Sequence, residues 1–270
     1  MSFKLKTLIL IIFSSLILFA CGGDKQEEFE NINNTTTNSG IDSSSIYAQH
    51  VFNSIPARDQ IIKLIKEANS EYNVALLNNP DDVNKYLIES RKALNLGVYG
   101  TDLNVASIYE QYQESMLFFK CINILAKSIG VSNSFNENMG DRMNANQANR
   151  DSTLIIINQA FKSADKTLRD NGRPGTSALL IAGAWIEGIY VACQTAKEIN
   201  NKEMIQAIFN QKESLNYLIQ LLETSNLEVD IKNVLSDLQS IKTIMETKND
   251  DLKELDQKIT TLRTNIISTK

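Results

Sequence analysis

Glu187 is the residue whose surroundings most strongly suggest chemistry, because it is the only charged residue over positions 176–196. A carboxylate among apolar neighbours must be paired, hydrogen-bonded or protonated, since an isolated charge is costly to bury. The first hypothesis is therefore an internal ion pair with Arg142, Arg150 or Arg173, supported by asparagine hydrogen bonds.

The second hypothesis places Glu187 in a small ligand pocket. Trp185 lies two positions before it, and a glycine-flanked segment earlier in the chain carries Tyr99 and Asp102. Apolar walls with a few polar groups are what a ligand site requires. Tyr99, Asp102, Trp185 and Glu187 are therefore the candidate pocket residues.

The residue sets of common catalytic and metal sites are missing from the sequence. His50 is the only histidine and precedes the predicted core, which argues against a Ser-His-Asp triad, a Cys-His dyad and a His-rich metal site. Ser163 and Lys166 have the Ser-x-x-Lys spacing, but the partner motifs of that nucleophile do not accompany them. No glycine-rich phosphate loop, Cys-x-x-Cys pair or His-Glu-x-x-His helix occurs. No catalytic residue, metal or cofactor is predicted.

The N-terminus predicts the destination of the protein. A short basic stretch precedes an uncharged, mostly apolar run over 8–20, which suits a signal-peptide core and is too short to span a bilayer. The sequence Leu18-Phe19-Ala20-Cys21 resembles the lipobox of bacterial lipoprotein precursors. The resemblance implies removal of residues 1–20, acylation of Cys21 by chains such as palmitate, and anchoring in the outer membrane. An ordinary secretory signal peptide is the alternative.

Residues 21–45 form a predicted tether. The segment is rich in Asn, Thr and Ser and has few core-forming residues, so we expect it to be disordered. Its acidic group, Asp24, Glu27 and Glu28, resembles the export signal that sends some Bacteroidetes lipoproteins to the cell surface. A solvated charge run is the equal alternative, so the surface and the periplasmic face both stay open.

The charge balance bears on the class of partner. The chain carries 27 basic and 32 acidic residues, a formal net charge of −5. Removal of residues 1–20 takes away two lysines and no acid, which makes the balance −7. Because phosphate binding needs a basic face, no nucleic-acid partner is expected.

Residues 46–270 are predicted to form a single all-α bundle of about seven to nine helices. Apolar residues recur at spacings of three and four, and no strand-like alternation of useful length occurs. The 3 prolines and 11 glycines are too few to punctuate a many-stranded sandwich or barrel. Spacing and composition therefore both favour helices.

Prolines and glycines predict several helix boundaries. A helix that starts near Pro56 is expected to stop at Asn78-Asn79-Pro80. Gly97 and Gly100 are interpreted as a break, after which a long helix capped by Thr101 or Asp102 runs to Gly130.

The helix over 176–200 is expected to be the most buried, because it is apolar on almost every side. Small residues recur four apart along it, which lets another backbone approach closely. This row consists of Thr176, Leu180, Ala184, Gly188, Ala192 and Ala196.

A heptad-like apolar repeat runs over 231–266. Because it stays in phase through Lys248, one long helix and two antiparallel helices are equally compatible with it. Burial of this repeat in the chain's own bundle is the favoured interpretation. An intermolecular coiled coil is the alternative, and it would make an oligomer possible.

Two cysteines follow the lipobox. Cys121 and Cys193 both fall on apolar predicted helices, where an inert buried thiol is the expected state. A disulfide between them is the alternative, because the predicted compartment permits disulfides.

Residues 94–197 resemble a family of uncharacterised helical lipoproteins of Bacteroidetes, and the segments Leu96–Leu103 and Gly183–Tyr190 carry the likeness. The resemblance brings no activity with it. The expected function is a non-catalytic, lipid-anchored module outside the cytoplasm that binds a protein or a small ligand, or acts as a scaffold. The alternative is a carboxylate-dependent hydrolase of the cell envelope, although the adjacent acids Asp81-Asp82 and Asp250-Asp251 lie at predicted helix starts, where capping explains them.

Overall fold

The structure is a computed structural model that describes residues 43–53, 70–146, 149–225, 229–247 and 252–268. These ranges contain ten α-helices and three short 3-10 segments and hold no strand, which confirms the all-α prediction with one helix beyond its upper count. The predicted signal peptide, Cys21, the tether up to residue 42 and most of the helix predicted from Pro56 lie outside the described residues.

The helix bounds are as follows. The helices are α1 (Ser43–Asn53), α2 (Glu89–Ile108), α3 (Tyr112–Ser128), α4 (Glu137–Ala145), α5 (Arg150–Asp170), α6 (Pro174–Ile199), α7 (Lys202–Phe209), α8 (Lys212–Glu223), α9 (Val229–Thr247) and α10 (Leu252–Ile267). The 3-10 segments are Val74–Leu76, Pro80–Lys85 and Ser132–Phe135. Helix α1 begins at Ser43, so the bundle starts slightly before the predicted residue 46 and includes the end of the predicted tether.

The centre of the bundle is the contact between α2 and α6, whose backbones touch. A Cβ atom placed on Gly183 would lie 1.9 Å from the Leu94 carbonyl oxygen, and one on Gly97 would lie 2.1 Å from the Leu180 carbonyl oxygen. Only glycine fits at such a distance. The predicted break at Gly97 and Gly100 is therefore wrong, because α2 runs through both glycines.

Only part of the predicted row of small residues lies at the close contact between α2 and α6. Leu180 and Ala184 do face Gly97, but the glycine that meets the other backbone is Gly183, one position away from the row. A Cβ atom on Gly188 would have no neighbour within 4 Å, because this side of α6 faces open space.

The long helix predicted to run to Gly130 is two helices, α2 and α3. The chain turns at Glu110, which has a positive φ of 57°. The Gln111 N–H donates to the Ala106 carbonyl oxygen at 2.8 Å, which is the bond that closes a helix end around a left-handed residue. Apolar spacing continues across the turn because α3 folds back and packs on α2, so the pattern alone did not reveal the break.

The heptad-like repeat forms two helices, α9 and α10, packed side by side. Lys258 Nζ of α10 lies 2.7 Å from Asp237 Oδ1 of α9. The heptad positions that the structure describes, from Val234 to Met245 on α9 and from Leu252 to Ile266 on α10, are buried within the chain. The structure therefore has two separate helices inside the bundle. This is one of the alternatives that the sequence left open.

Helix α6 is the one described helix whose length and apolar composition would allow it to cross a membrane. Of its most apolar window, 78% is buried inside the bundle. Its apolar character is therefore accounted for by its position in the core.

Candidate functional site

The four candidate pocket residues divide between two places in the fold. Tyr99 and Asp102 lie on α2, and Trp185 and Glu187 lie on α6. Because residues two apart on a helix point in nearly opposite directions, Trp185 and Glu187 cannot line one site. The close contact of α2 and α6 brings Asp102 and Glu187 together in the core, while Trp185 lines a cavity on the other side of α6.

The first place is a buried charge centre around Glu187. Arg263 of α10 donates from Nε to Glu187 Oε2 at 2.8 Å and from Nη2 to Oε1 at 2.9 Å. Arg263 Nη2 also donates to the Leu76 carbonyl oxygen at 3.0 Å, and the guanidinium carbon lies 4.3 Å from the centre of the Tyr190 ring. Glu187 is 0% and Arg263 8% exposed. This two-pronged pair satisfies the carboxylate in the way that buried charge requires.

The predicted internal ion pair is therefore present, but the predicted partners were wrong. Arg173 instead pairs with Glu89 at 2.7 Å, and the Arg142 guanidinium donates to Gln159 at 3.0 Å. Arg150 lies beside Asp151 at 3.4 Å. The partner is Arg263, which sequence reasoning missed although it lies four residues after the buried Ile259, on the apolar face of its helix.

Asp102 completes the charge centre. Its Oδ2 accepts the Asn78 backbone N–H at 3.1 Å, and its carboxyl group lies near that of Glu187. Burial raises the pKa of Asp102 well above its ordinary value, and the neighbouring Glu187 charge acts in the same direction. Burial also raises the pKa of Glu187, but Arg263 opposes that effect. The neutral form is therefore favoured at Asp102, while the direct pair with Arg263 favours the charged form of Glu187.

Tyr99 belongs to the packing around this centre. Its hydroxyl donates to the Asn79 carbonyl oxygen at 2.8 Å, and its ring is fully buried. The Asn78 side-chain amide donates to the Tyr86 hydroxyl at 2.9 Å. These bonds hold the chain before Pro80 beside α2. Tyr99 therefore stabilises the fold, and it does not line the cavity beside Trp185.

The second place is an apolar cavity of about 110 Å³ between α1, α2, α5, α6 and the start of α8. Trp185, Gly188 and Leu180 line it from α6, and Phe161 lines it from α5. Phe161 packs directly over Gly100, where a Cβ atom would lie 2.1 Å from the ring. The second glycine of the predicted break therefore makes room for a wall of the cavity.

Three polar residues of this lining have buried atoms without a hydrogen-bond partner among the described residues. They are Asn104 Oδ1 on α2, Trp185 Nε1 on α6 and Gln211 Nε2 just before α8. The three residues are 7%, 8% and 3% exposed, respectively. An unpaired buried donor or acceptor costs about 1–3 kcal/mol, but these atoms have almost no accessible surface and so do not border the open space of the cavity.

Sequence reasoning found Trp185 but missed Asn104 and Gln211. Asn104 lies four residues after Gly100 and so shares its face of α2. That spacing could have identified Asn104 only if α2 had been recognised as one continuous helix.

The two cysteines outside the N-terminus are free thiols and both are buried. Burial raises the pKa of Cys121 to about 12 and raises that of Cys193 as well. Thiols of this kind stay protonated and are poor nucleophiles. Cys121 and Cys193 are therefore the expected inert buried thiols and do not form a disulfide.

No group of three or more His, Cys, Asp or Glu side chains that could hold a metal occurs within the described ranges. No protein-family model, curated protein or solved structure matches the chain.

Proposed function

We propose that this protein is a lipid-anchored, non-catalytic binding module that holds a small molecule in the cavity between α2 and α6. The observation that carries the proposal is the apolar cavity itself, about 110 Å³ in volume, whose lining also includes polar residues such as Asn104, Asn158 and Gln211. Ligand sites combine apolar walls with a few polar groups that fix orientation. A small molecule in this space would remove apolar surface of the cavity walls from water.

The charge centre favours a rigid arrangement of the helices around the cavity. Arg263, Glu187 and Asp102 connect α10, α6 and α2, and Arg263 also binds the Leu76 carbonyl oxygen. Breaking a buried pair of this kind costs about 3–5 kcal/mol. The centre therefore fixes two helices that form cavity walls.

The same geometry weighs against the carboxylate-dependent hydrolase. Asp102 and Glu187 are both 0% exposed, and neither lines the cavity. Asp102 already accepts the Asn78 backbone N–H, and Glu187 is already paired with Arg263. A general acid or base must reach the proton that it transfers, so this pair does not favour an enzyme.

The proposed location is the bacterial outer membrane, with the helical domain held by acyl chains on Cys21. The signal-like run 8–20 and the lipobox resemblance support this part of the proposal. Labelling with an alkyne analogue of palmitate should modify the wild-type protein and spare Cys21→Ser. Protease added to intact cells, with a periplasmic protein as the leakage control, would then separate a surface domain from a periplasmic one.

The binding part is tested by NMR on the purified full chain with a panel of neutral, anionic and cationic single-ring compounds. We expect at least one compound to shift amide signals of α2 and α6 around the cavity. Gly188→Leu, which places a side chain in the open space beside Gly188, should abolish those shifts. Glu198→Leu puts the same residue on an exposed position of the same helix and is the matched control. A panel without any shift at the cavity would overturn the proposal and favour a scaffold role.

A further inference from the structure

We infer that the loop tip formed by Leu87 and Ile88 inserts into an anionic lipid bilayer and gives the helical domain a second contact with the membrane. This inference rests on the lipid-anchored part of the proposed function and deepens it by naming the surface that meets the bilayer. It follows from the exposure of the two side chains, the charges beside them and the end of the bundle at which the chain enters.

Leu87 and Ile88 form an exposed apolar tip between the 3-10 segment Pro80–Lys85 and α2. Leu87 is 80% and Ile88 49% exposed, and Leu87 is the most exposed large apolar residue in the described ranges. The residues on either side of the tip, Tyr86 and Ser90, reach into the core and are buried. The fold therefore presents two adjacent apolar side chains from a fixed base.

The start of α2 does not account for the apolar side chain of Ile88. Ile88 is the N-cap of this helix, a position that favours Ser, Thr, Asp and Asn because their side chains accept a backbone N–H of the first turn. Ile88 makes no such side-chain hydrogen bond. An apolar residue here is unfavourable for the helix, so its reason lies outside the helix.

The chain enters the bundle at the same end as the tip. Ser44, in the first turn of α1, accepts a hydrogen bond from Arg169 Nη1 at 2.6 Å. Arg169 lies in the last turn of α5, and Arg173, just before α6, pairs with Glu89 at 2.7 Å. Glu89 directly follows Ile88. The predicted tether therefore joins the described domain at the end that an acylated N-terminus would draw towards a bilayer.

The charges around the tip suit an anionic surface. Four basic residues outnumber three acids there, whereas over the whole chain 32 acids outnumber 27 bases. Two of the acids are already neutralised, because Asp82 contacts Lys85 and Glu89 contacts Arg173. Basic residues close to a membrane surface are attracted by anionic lipids. The residues of this group are Lys85, Arg91, Lys92 and Arg173, with Asp81, Asp82 and Glu89.

The size of the tip favours a bilayer over a protein partner. A stable protein interface buries about 800 Å² on each side, and two side chains supply only a small part of that area. Apolar side chains beside basic residues can instead enter the boundary between lipid headgroups and acyl chains, where apolar burial and charge attraction act together. The tip therefore fits a lipid surface as an addition to an acyl anchor.

The test measures whether position 87 lies inside a membrane. Leu87→Trp in the purified full chain is mixed with vesicles of anionic phosphatidylglycerol and phosphatidylcholine whose acyl chains carry bromine, which quenches nearby Trp fluorescence. We expect the fluorescence added by Leu87→Trp to be quenched. The native Trp185 is 8% exposed in the core and gives the same background in wild type and variants.

Leu117→Trp is the matched control. Leu117 is also an exposed leucine, at 48%, but it lies on α3 twelve positions before Ile129. The Ile129 carbonyl oxygen accepts from Arg173 Nη1 at the end of the bundle that carries the tip. At a rise of about 1.5 Å per residue, Leu117 is therefore about 18 Å along the helix from that end, and Leu117→Trp should not be quenched.

A second set of variants tests what holds the tip in the bilayer. Ile88→Glu, added to Leu87→Trp, should abolish the quenching because it places a charge beside the inserted side chain. Leu117→Glu, added to Leu87→Trp, should leave the quenching unchanged. Lys92→Gln in the same background should weaken insertion about fivefold, and vesicles of phosphatidylcholine alone should quench less than anionic vesicles.

The outcomes distinguish this inference from the proposed anchor. No quenching at position 87, or equal quenching at positions 87 and 117, would overturn the inserted tip. Equal quenching by neutral and anionic vesicles would overturn the preference for anionic lipid. Palmitate labelling decides the anchor separately: labelling without quenching at position 87 would keep the anchor and refute the tip, and quenching without labelling would keep the tip and refute the anchor.

Discussion

Glu187 and Arg263 are 76 positions apart in the sequence and form a two-pronged ion pair with N–O distances of 2.8 and 2.9 Å. The pair joins the central helix α6 to the last helix α10. Asp102 adds a second buried carboxyl on the α2 side, and the nearby Glu187 charge helps to raise its pKa. The three residues therefore tie together helices that are far apart in the chain.

Removing one partner of this pair should be strongly destabilising. Glu187→Gln or Arg263→Met leaves an unbalanced polar group in the core, and each should lower the free energy of unfolding by about 3–5 kcal/mol. The double variant should be less destabilised than either single variant. Urea denaturation measures all three.

The control for this experiment is Lys166→Ala. Lys166 pairs with Asp170 on the surface, with the side chains 75% and 59% exposed, and its loss should cost less than about 1 kcal/mol. Single core variants with the same small effect would show that the buried pair does not stabilise the fold.

Asp102 should make stability fall as pH rises. Its pKa is raised in the folded protein, so between its unfolded value near 3.9 and the higher folded value only the unfolded chain releases the proton. Stability then decreases with increasing pH. In Asp102→Asn, whose side-chain amide does not titrate, this dependence should be lost.

The measurement is the difference in unfolding free energy between wild type and Asp102→Asn from about pH 4 to about pH 7. The wild-type protein should lose stability relative to the variant as the pH rises. A wild-type protein that gains stability relative to the variant over this range would mean that Asp102 is ionised in the fold.

Two glycine substitutions on α6 should have opposite effects. Gly183→Ala forces a Cβ atom against the Leu94 carbonyl oxygen, and overpacking against a backbone should cost about 3 kcal/mol or more. Gly188→Ala meets nothing within 4 Å and should stabilise the helix by up to about 1 kcal/mol. Thermal unfolding of the two variants compares them directly, and equal effects would contradict the close contact of α2 and α6.

The apolar face of α10 should stabilise the single chain. Leu255 and Ile259 are both 0% exposed within it, so Leu255→Ala and Ile259→Ala should each lower the free energy of unfolding by about 2–5 kcal/mol. Sedimentation velocity should give the same molecular mass for wild type and variants at all protein concentrations. A wild-type dimer that these variants dissociate would instead support the intermolecular coiled coil.

Local sequence patterns predicted the helical class well and the helix boundaries less well. The three-four spacing identified the helices, because an amphipathic helix must bury one face. The glycines at 97 and 100 were misread as a break, since glycine serves equally at a turn and at a close helix contact. Only the packing partner distinguishes those two uses.

The sequence by itself determined that the described domain is all-α and that Glu187 needs a partner, because spacing and the cost of burying charge act locally. The tertiary structure decided that this partner is Arg263, and that Trp185 faces a cavity while Glu187 faces the core. The same holds for Asn104 and Gln211, which line that cavity with Trp185 although they lie far apart in the chain. Contacts of this kind depend on how helices that are distant in the sequence pack together. The spacing of residues along the chain does not predict that packing.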